Sequence, residues 1–306
     1  MRLLIAGATG FVGQALVPFL CCKGYEVTVL GRDKKKIVDC FDETVTALSW
    51  DELKTVEGYQ AVINLAGHNI GQGRWSESVK HKILTSRVEA TQRLARLCAA
   101  CQTHKPRLLN ASAIGIYGTQ AGADALPLAQ NEDSVLPAAS EFLSQVGQCW
   151  EAAVQPAVAT DVDVVLMRFG VVLAANGGVL KKMATPVKLG LGGRIGSGKQ
   201  VLSWIALPDL VRAIYFVLVH TTLTGPINMV SPSAVTQQQF IKTLAGVLKR
   251  PALLPLPSWL VILLFGHMGK ELLLRGQHVY PSRLRKAGFR FEMPQLTQCL
   301  KYEYCV

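Results

Sequence analysis

The first thirty residues set a strand, a glycine-rich turn, a helix and a second strand in immediate succession, and no other segment narrows the fold so far. Arg2-Leu-Leu-Ile-Ala6 is a short apolar run of the kind buried parallel strands show. It leads into Gly7-Ala-Thr-Gly10-Phe-Val-Gly13, a helical pattern from Gln14 to Lys23 stopped by Gly24, and a second strand, Glu26 to Leu30. The three glycines have separable tasks. Gly7 permits the tight turn, Gly10 lets backbone N–H groups approach a pyrophosphate, and Gly13 lets the helix pack closely on the strand. A helix N-terminus behind such a turn offers unpaired donors and a positive dipole to phosphate. The spacing therefore predicts a dinucleotide site, with Gly7, Thr9, Gly10, Phe11, Val12 and Gly13 as its cradle.

The end of the second strand discriminates between cofactors. An NAD site places a carboxylate there for the ribose 2′-hydroxyl, and an NADP site places a cation for the 2′-phosphate. The strand here ends Leu30-Gly31-Arg32-Asp33, followed by three lysines. Arg32 stands in the discriminating place and its planar fork suits a phosphate, which points to NADP(H). A solvated basic turn is the plainer alternative, and a small shift in register would bring Asp33 toward the ribose instead.

Strand and helix patterns keep alternating: Val45 to Leu48, Ala61 to Ala66, a helix from Ser76 to Cys101, Arg107 to Ser112, a helix from Glu141 to Val154, and Val162 to Arg168. Alternation at this spacing predicts an α/β fold with a doubly wound parallel sheet. Ligands of such sheets bind at the carboxyl ends of the strands, which singles out Asn64, Leu65, Ala66 and Gly67, then Ser112 to Gly118, then Arg168 to Leu173. Beyond about residue 174 the texture changes. Gly190 to Lys199 is too glycine-rich for regular structure and reads as a loop, one able to close on a ligand. Val201 to Ile205 reads as a short strand, Asp209 as the cap of a helix running to His220, Ile227 to Val230 as a strand, and Thr236 to Lys249 as a helix.

Composition removes several classes of function. The longest apolar stretch, Trp259 to Phe265, is far shorter than the roughly 20 residues that cross a bilayer, so no membrane partner is expected. The N-terminus runs straight into the first strand without a secretory pattern, and a cytoplasmic location is expected. Eight cysteines lie scattered in apolar segments, as reduced thiols do. Cys98-Ala-Ala-Cys101 ends a helical pattern with no second pair beside it, which suits packing better than redox chemistry or a metal. The net charge of +11 raises the question of nucleic acid. No aromatic interleaving, zinc spacing or basic helix supports that partner, and an anionic small-molecule ligand accounts for the charge as well.

Several of these motifs together resemble a known family. Gly7 to Gly13, Asn64 to Gly67, Asn110-Ala-Ser-Ala-Ile-Gly-Ile-Tyr-Gly118 and Arg168 to Leu173 are similar to the extended short-chain dehydrogenases/reductases. Leu189 to Gly198, Ser203-Trp-Ile205 and Gly276 to Leu284 resemble its atypical, epimerase-like branch. The resemblance implies a Rossmann domain holding NADP(H) over residues 1–170, and a smaller C-terminal substrate-binding lobe over 171–306, partly interleaved with it. It also implies an oxidoreductase or epimerase acting on a small polar substrate, anionic ones included. Family members carry an Asn-Val-x-Gly-Thr pattern beside the cofactor. The comparable stretch here is Arg87-Val-Glu-Ala-Thr91, so Arg87 is either a cation for phosphates or substrate, or one more surface arginine.

The same resemblance exposes a gap. The superfamily uses a serine after the fifth strand and a Tyr-x-x-x-Lys pair on the next helix, where lysine lowers the tyrosine pKa and tyrosine exchanges a proton with substrate. Ser112 holds the serine position. Phe142 and Val146, or Leu143 and Gly147 one register along, stand where the pair belongs. A catalytic protein must draw its proton from elsewhere: Tyr117 first, Glu141 second, each with a structural role as its alternative, and His68 subject to the same alternative. A chain that binds NADP(H) without turning it over, as a redox sensor or partner-binding protein, is the competing reading.

Overall fold

The computed structural model describes residues 1–71, 73–119 and 127–305; Val306, which closes the expected C-terminal lobe, lies outside them. Eleven strands are described: β1 (Arg2–Ala6), β2 (Glu26–Gly31), β3 (Thr46–Ser49), β4 (Ala61–Asn64), β5 (Arg107–Ala113), β6 (Val164–Phe169), β7 (Val171–Ala174), β8 (Val201–Leu202), β9 (Trp204–Ala206), β10 (Gly225–Met229) and β11 (Val235–Thr236). The helices are α1 (Phe11–Cys22), α2 (Lys34–Phe41), α3 (Glu77–Ala99), α4 (Phe142–Ala152), α5 (Gln155–Val158), α6 (Gly178–Lys188), α7 (Leu207–Val219), α8 (Gln237–Leu248), α9 (Ser258–Leu272), α10 (Ser282–Lys286) and α11 (Leu296–Tyr304).

Seven strands form one sheet in the order β10-β6-β5-β4-β1-β2-β3, every neighbouring pair parallel. Strand order reverses between β1 and β4, the switch point at which doubly wound sheets open a crevice for ligand. The period-two alternation of strands divides the core. Leu3 and Ile5 pack with α1 and α7 on one face, while Leu4 and Ala6 pack with the α3 side on the other. Residues 1–170 thus supply six strands of the Rossmann sheet. The chain leaves it after β6, and its later part returns: α7 packs on α1, and β10 adds the edge strand beside β6. A further core, built around Leu173, Trp204 and Phe240, joins β7, β9, α6, α8 and α11.

Local chemistry sets the element ends. Ser76 caps α3 by accepting from the Val79 N–H, and Thr236 and Gln239 form a reciprocal capping box on α8. Asp209, expected as a cap, instead lies inside the first turn of α7, whose N-cap is Ala206. Its fully buried carboxylate accepts the N–H groups of Glu292 and Met293, both at 2.9 Å, and pairs with Arg212 at 2.8 Å. The C-terminal segment competes successfully for the carboxylate because two donors there outdo one helical N–H. The glycine-rich stretch 190–199 holds no helix or strand. All eight cysteines are free, with Cys98 and Cys101 buried in the core.

Candidate functional site

The turn after β1 has the geometry its glycines foretell. Gly7 has φ +76°, and a Cβ there would lie 2.7 Å from the Leu65 carbonyl and the Ala66 nitrogen. At Gly13 a Cβ would fall 2.3 Å from the Ala8 carbonyl oxygen, so only glycine lets α1 sit this close to the turn. Gly10 is the N-cap of α1 and contributes no side-chain cap, which leaves the opening N–H groups of Phe11, Val12 and Gly13 available to an anion. Thr9 directs its carbonyl to the Gln14 side chain at 3.0 Å, fixing the turn from behind. The Phe11 ring lies against Gly177 and Gly178, where a Cβ on Gly177 would come within 2.7 Å of it.

Arg32 follows directly on the end of β2, exposed and in no ion pair among the described residues. Asp33 is occupied otherwise: it is the N-cap of α2 and accepts from the Lys36 N–H at 3.3 Å. The cation is therefore the side chain left free at the discriminating place. A bare backbone cradle, an uncapped helix N-terminus and a free arginine one strand away suit a dinucleotide carrying a 2′-phosphate.

At the ends of β4 and β5 the polar side chains face inward. Asn64 is buried and donates to Thr91 Oγ1 at 2.9 Å and Asn110 Oδ1 at 2.7 Å, while its own Oδ1 accepts from the Ala66 N–H at 3.1 Å. Trp150 Nε1 donates to the same Thr91 hydroxyl at 3.0 Å. The cluster ties β4, β5, α3 and α4 together and shapes the turn through Leu65, Ala66 and Gly67. Arg87 is half-buried, donating to the carbonyls of His68 and Ile83 at 2.9 Å, with its guanidinium over the Trp150 ring at 4.9 Å. Burial pulls its pKa down to about 10. The backbone N–H of His68 donates to Ser86 Oγ at 2.9 Å.

The three catalytic candidates, Ser112, Tyr117 and Glu141, fall into two groups. Ser112, at 1% exposure, donates to Glu151 Oε1 at 2.7 Å. Glu151 in turn receives Arg168 on both oxygens, each at 2.8 Å, and Arg168 donates to the Tyr117 hydroxyl at 2.8 Å. Tyr117 is buried and passes its own proton toward Asn228 Oδ1 at 2.9 Å. Burial pushes the Tyr117 pKa up against the opposing pull of Arg168. Burial also opposes the Arg168 charge, but Glu151 and Tyr117 outweigh it and hold the guanidinium firmly protonated. Glu141 lies apart from this chain. It accepts from the Thr119 backbone N–H at 2.8 Å and pairs with Arg275. It lines a cavity of about 290 Å³ with Phe142, His267, Lys270, Glu271 and Arg275.

Glu151 and Arg168 carry a pairing that sequence reasoning did not anticipate. Glu151 is the only charged residue within α4, one helical turn beyond Gly147, and that isolation was the available signal. The places of the lysine in the Tyr-x-x-x-Lys pattern are packed shut, while Phe142 and Leu143 at the tyrosine places are half-buried. Val146 is in a core cluster with Trp75, Ile83 and Met268, and a Cβ on Gly147 would meet Ile116 at 2.8 Å. The first turn of α4 is capped from α9, where buried Glu271 accepts the N–H groups of Phe142 and Leu143 at 3.2 and 3.0 Å.

Comparison with known proteins agrees with this architecture. The human epimerase family protein SDR39U1 is 36% identical over 308 residues, covering 98% of this chain and 99% of that protein. Epimerase family protein Mb2239 of Mycobacterium bovis is 36% identical over 304 residues, covering 97% of this chain and 96% of its own length. The crystal structure of human SDR39U1 (isoform 2) with NADPH matches with a TM-score of 0.88 at 33% identity, covering all of both chains. A domain of unknown function, DUF1731, matches residues 256–303. The description "NAD dependent epimerase/dehydratase family" matches residues 3–229, from the first residues of β1 to the end of β10, and with the glycine cradle and parallel sheet in place the chain belongs to that family.

Proposed function

We propose that this chain binds NADP(H) in the Gly7 to Gly13 cradle and acts as a nicotinamide-dependent oxidoreductase or epimerase on a small polar substrate. The observation that carries the reading is Arg32: an unpaired guanidinium where a carboxylate would select NAD, with Asp33 withdrawn into the α2 cap. The NADPH bound to the similar human protein supports the same choice. Phe11, Val12 and Gly13 would direct backbone N–H groups at the pyrophosphate, and Leu65, Ala66 and Gly67 would line the neighbouring turn. The Asn64 side chain holds that turn, and Arg87 braces it through the His68 carbonyl.

The bound cofactor supplies a hydride. The protein must then manage a proton at the substrate oxygen without a Tyr-x-x-x-Lys pair. Ser112 stands at the carboxyl end of β5 with its hydroxyl proton directed at Glu151, a carboxylate placed to take it. Arg168 stabilises the Glu151 charge and donates to the Tyr117 hydroxyl, so one guanidinium, itself staying protonated, positions both groups. Glu141, held by the Thr119 N–H and paired with Arg275 at the 290 Å³ cavity, suits positioning that cation better than proton transfer.

Binding without turnover is favoured by one observation: the Ser112 and Tyr117 hydroxyls are both engaged inside the protein. Parallel titration of NADPH and NADH by nicotinamide fluorescence, on wild type and Arg32→Ala, tests the cofactor. Loss of a charge-assisted contact worth about 1.5–3 kcal/mol should weaken NADPH roughly 10- to 100-fold and leave NADH unchanged. Equal affinity for both nucleotides in the wild type would overturn the assignment. Oxidation of NADPH by a member of a carbonyl panel then separates the enzyme from the sensor.

A further inference from the structure

Described residues include no helix long and apolar enough to cross a membrane, yet the longest apolar run of the sequence is turned outward. In α9, Trp259, Ile262 and Leu263 recur at i, i+3 and i+4 and are exposed, Trp259 by 66% and Leu263 by 61%, with Leu264 half-exposed beside them. Val261 alone of that stretch is fully buried. Leu253 and Leu254, in the segment leading into the helix, are exposed as well. This is too large an apolar surface to be incidental on a chain whose other exposed apolar residues are scattered.

The glycine-rich loop extends the same face. Leu254 N–H donates to the Gly192 carbonyl at 3.1 Å and Leu256 N–H to the Arg194 carbonyl at 2.8 Å, so the loop lies alongside residues 253–256. A Cβ on Gly193 would fall 1.9 Å from the Leu254 oxygen, which is why this stretch is glycine. The pairing brings exposed Leu189 and Leu191 toward Leu253 and Leu254.

Charge identifies the occupant. Basic residues are spread along the chain, but acidic ones are not: from Val164 to Lys270 there are eleven lysines and arginines and one acid, the buried Asp209. That third of the chain carries nearly all of the net charge of +11. Exposed Lys249 and Arg250 lead into Leu253, and exposed Arg194 follows Leu191. A second copy of the chain would set these cations against their own kind, with no exposed carboxylate between Val164 and Lys270 to pair them. An anionic lipid surface accepts both features at once, apolar side chains at the acyl boundary and lysine and arginine among the headgroups.

We infer that the α9 face, with the leucines of the two adjoining segments, docks on anionic membrane surfaces without crossing them. Trp259 is itself the probe, because Trp75, Trp150 and Trp204 are buried and Trp50 is partly covered. The experiment is co-sedimentation of the full chain with phosphatidylcholine vesicles and with vesicles containing roughly one-third phosphatidylglycerol. Binding to the second kind only is expected, weakened by salt and accompanied by a blue shift of tryptophan emission. The shift should vanish in Trp259→Phe, and Ile262→Ser with Leu263→Ser should lower binding at least tenfold while leaving far-UV circular dichroism unchanged. Equal binding to both vesicle types, no binding to either, or binding undiminished in the double variant would overturn the inference. So would a dimer in vesicle-free solution that the same double variant dissociates, because the occupant would then be a second copy. None of these outcomes depends on nucleotide binding.

Discussion

At the scale of single residues, the glycines of the first turn differ in what they forbid. Gly10 is crowded only by the Gly7 carbonyl, where a Cβ would lie at 3.2 Å, whereas a Cβ on Gly13 would sit inside the backbone of Ala8. Gly13→Ala must therefore displace either α1 or the turn. Overpacking of this kind costs about 1–3 kcal/mol and should also misplace the N–H groups proposed to meet phosphate. Thermal unfolding should show a lower midpoint, and NADPH titration a weaker complex. Gly246→Ala in α8 is the matched control: nothing lies within 4 Å of the place its methyl group would take, and the change should be neutral or stabilising by up to about 1 kcal/mol. If Gly13→Ala behaves like the control, the close approach of α1 is not what fixes the turn. Spacing alone made these glycines legible. The role of Asn64 was not legible in the same way, because its partners Thr91 and Asn110 come from elements remote in sequence and only the fold brings them together.

Among the elements, α4 carries the residues on which the proposed chemistry turns. The helix packs one face inward, with Val146 in a core cluster and Gly147 against Ile116, and carries a single carboxylate on the next turn. That carboxylate is the only anion hydrogen-bonded to Arg168 among the described residues, and Arg168 is 4% exposed. Glu151→Gln would leave a buried guanidinium without its counter-charge, at a cost of about 3–5 kcal/mol. Replacing both partners, as Glu151→Met with Arg168→Met, should cost less than the sum of the two single changes. Denaturant unfolding of the four proteins of that cycle measures the coupling; additive losses would mean that the pair is not the unit that holds α4 to β6. Sequence patterns located this helix to within a residue or two, and they showed that the tyrosine and lysine were missing. They were silent on the replacement, since Glu151 meets Arg168 only through the parallel pairing that sets Ser112 opposite Arg168.

For the molecule as a whole, the alternation of strands and helices made the parallel sheet legible. It did not reveal that β10 would return to the sheet edge, because that pairing with β6 joins segments about sixty residues apart. The same burial that hides nonlocal partners from the sequence leaves a pH signature. Burial pushes the Cys98 thiol up to about 12, Cys101 up to about 11 and Cys299 up to about 12, and it raises Tyr117 as well. Each group is neutral in the folded state and ionises more readily once unfolded. Their contribution to stability is thus fully present below about pH 9, the ordinary thiol value, and is lost as pH rises toward 12. A cooperative alkaline transition should follow in circular dichroism between those limits. Cys98→Ala removes one such proton, so the fall of unfolding free energy with pH should become shallower by up to about 1.4 kcal/mol per pH unit within the window, even though the cavity lowers stability at neutral pH. An unchanged slope would show that Cys98 does not ionise on unfolding and that the alkaline limit of this fold is set by other groups.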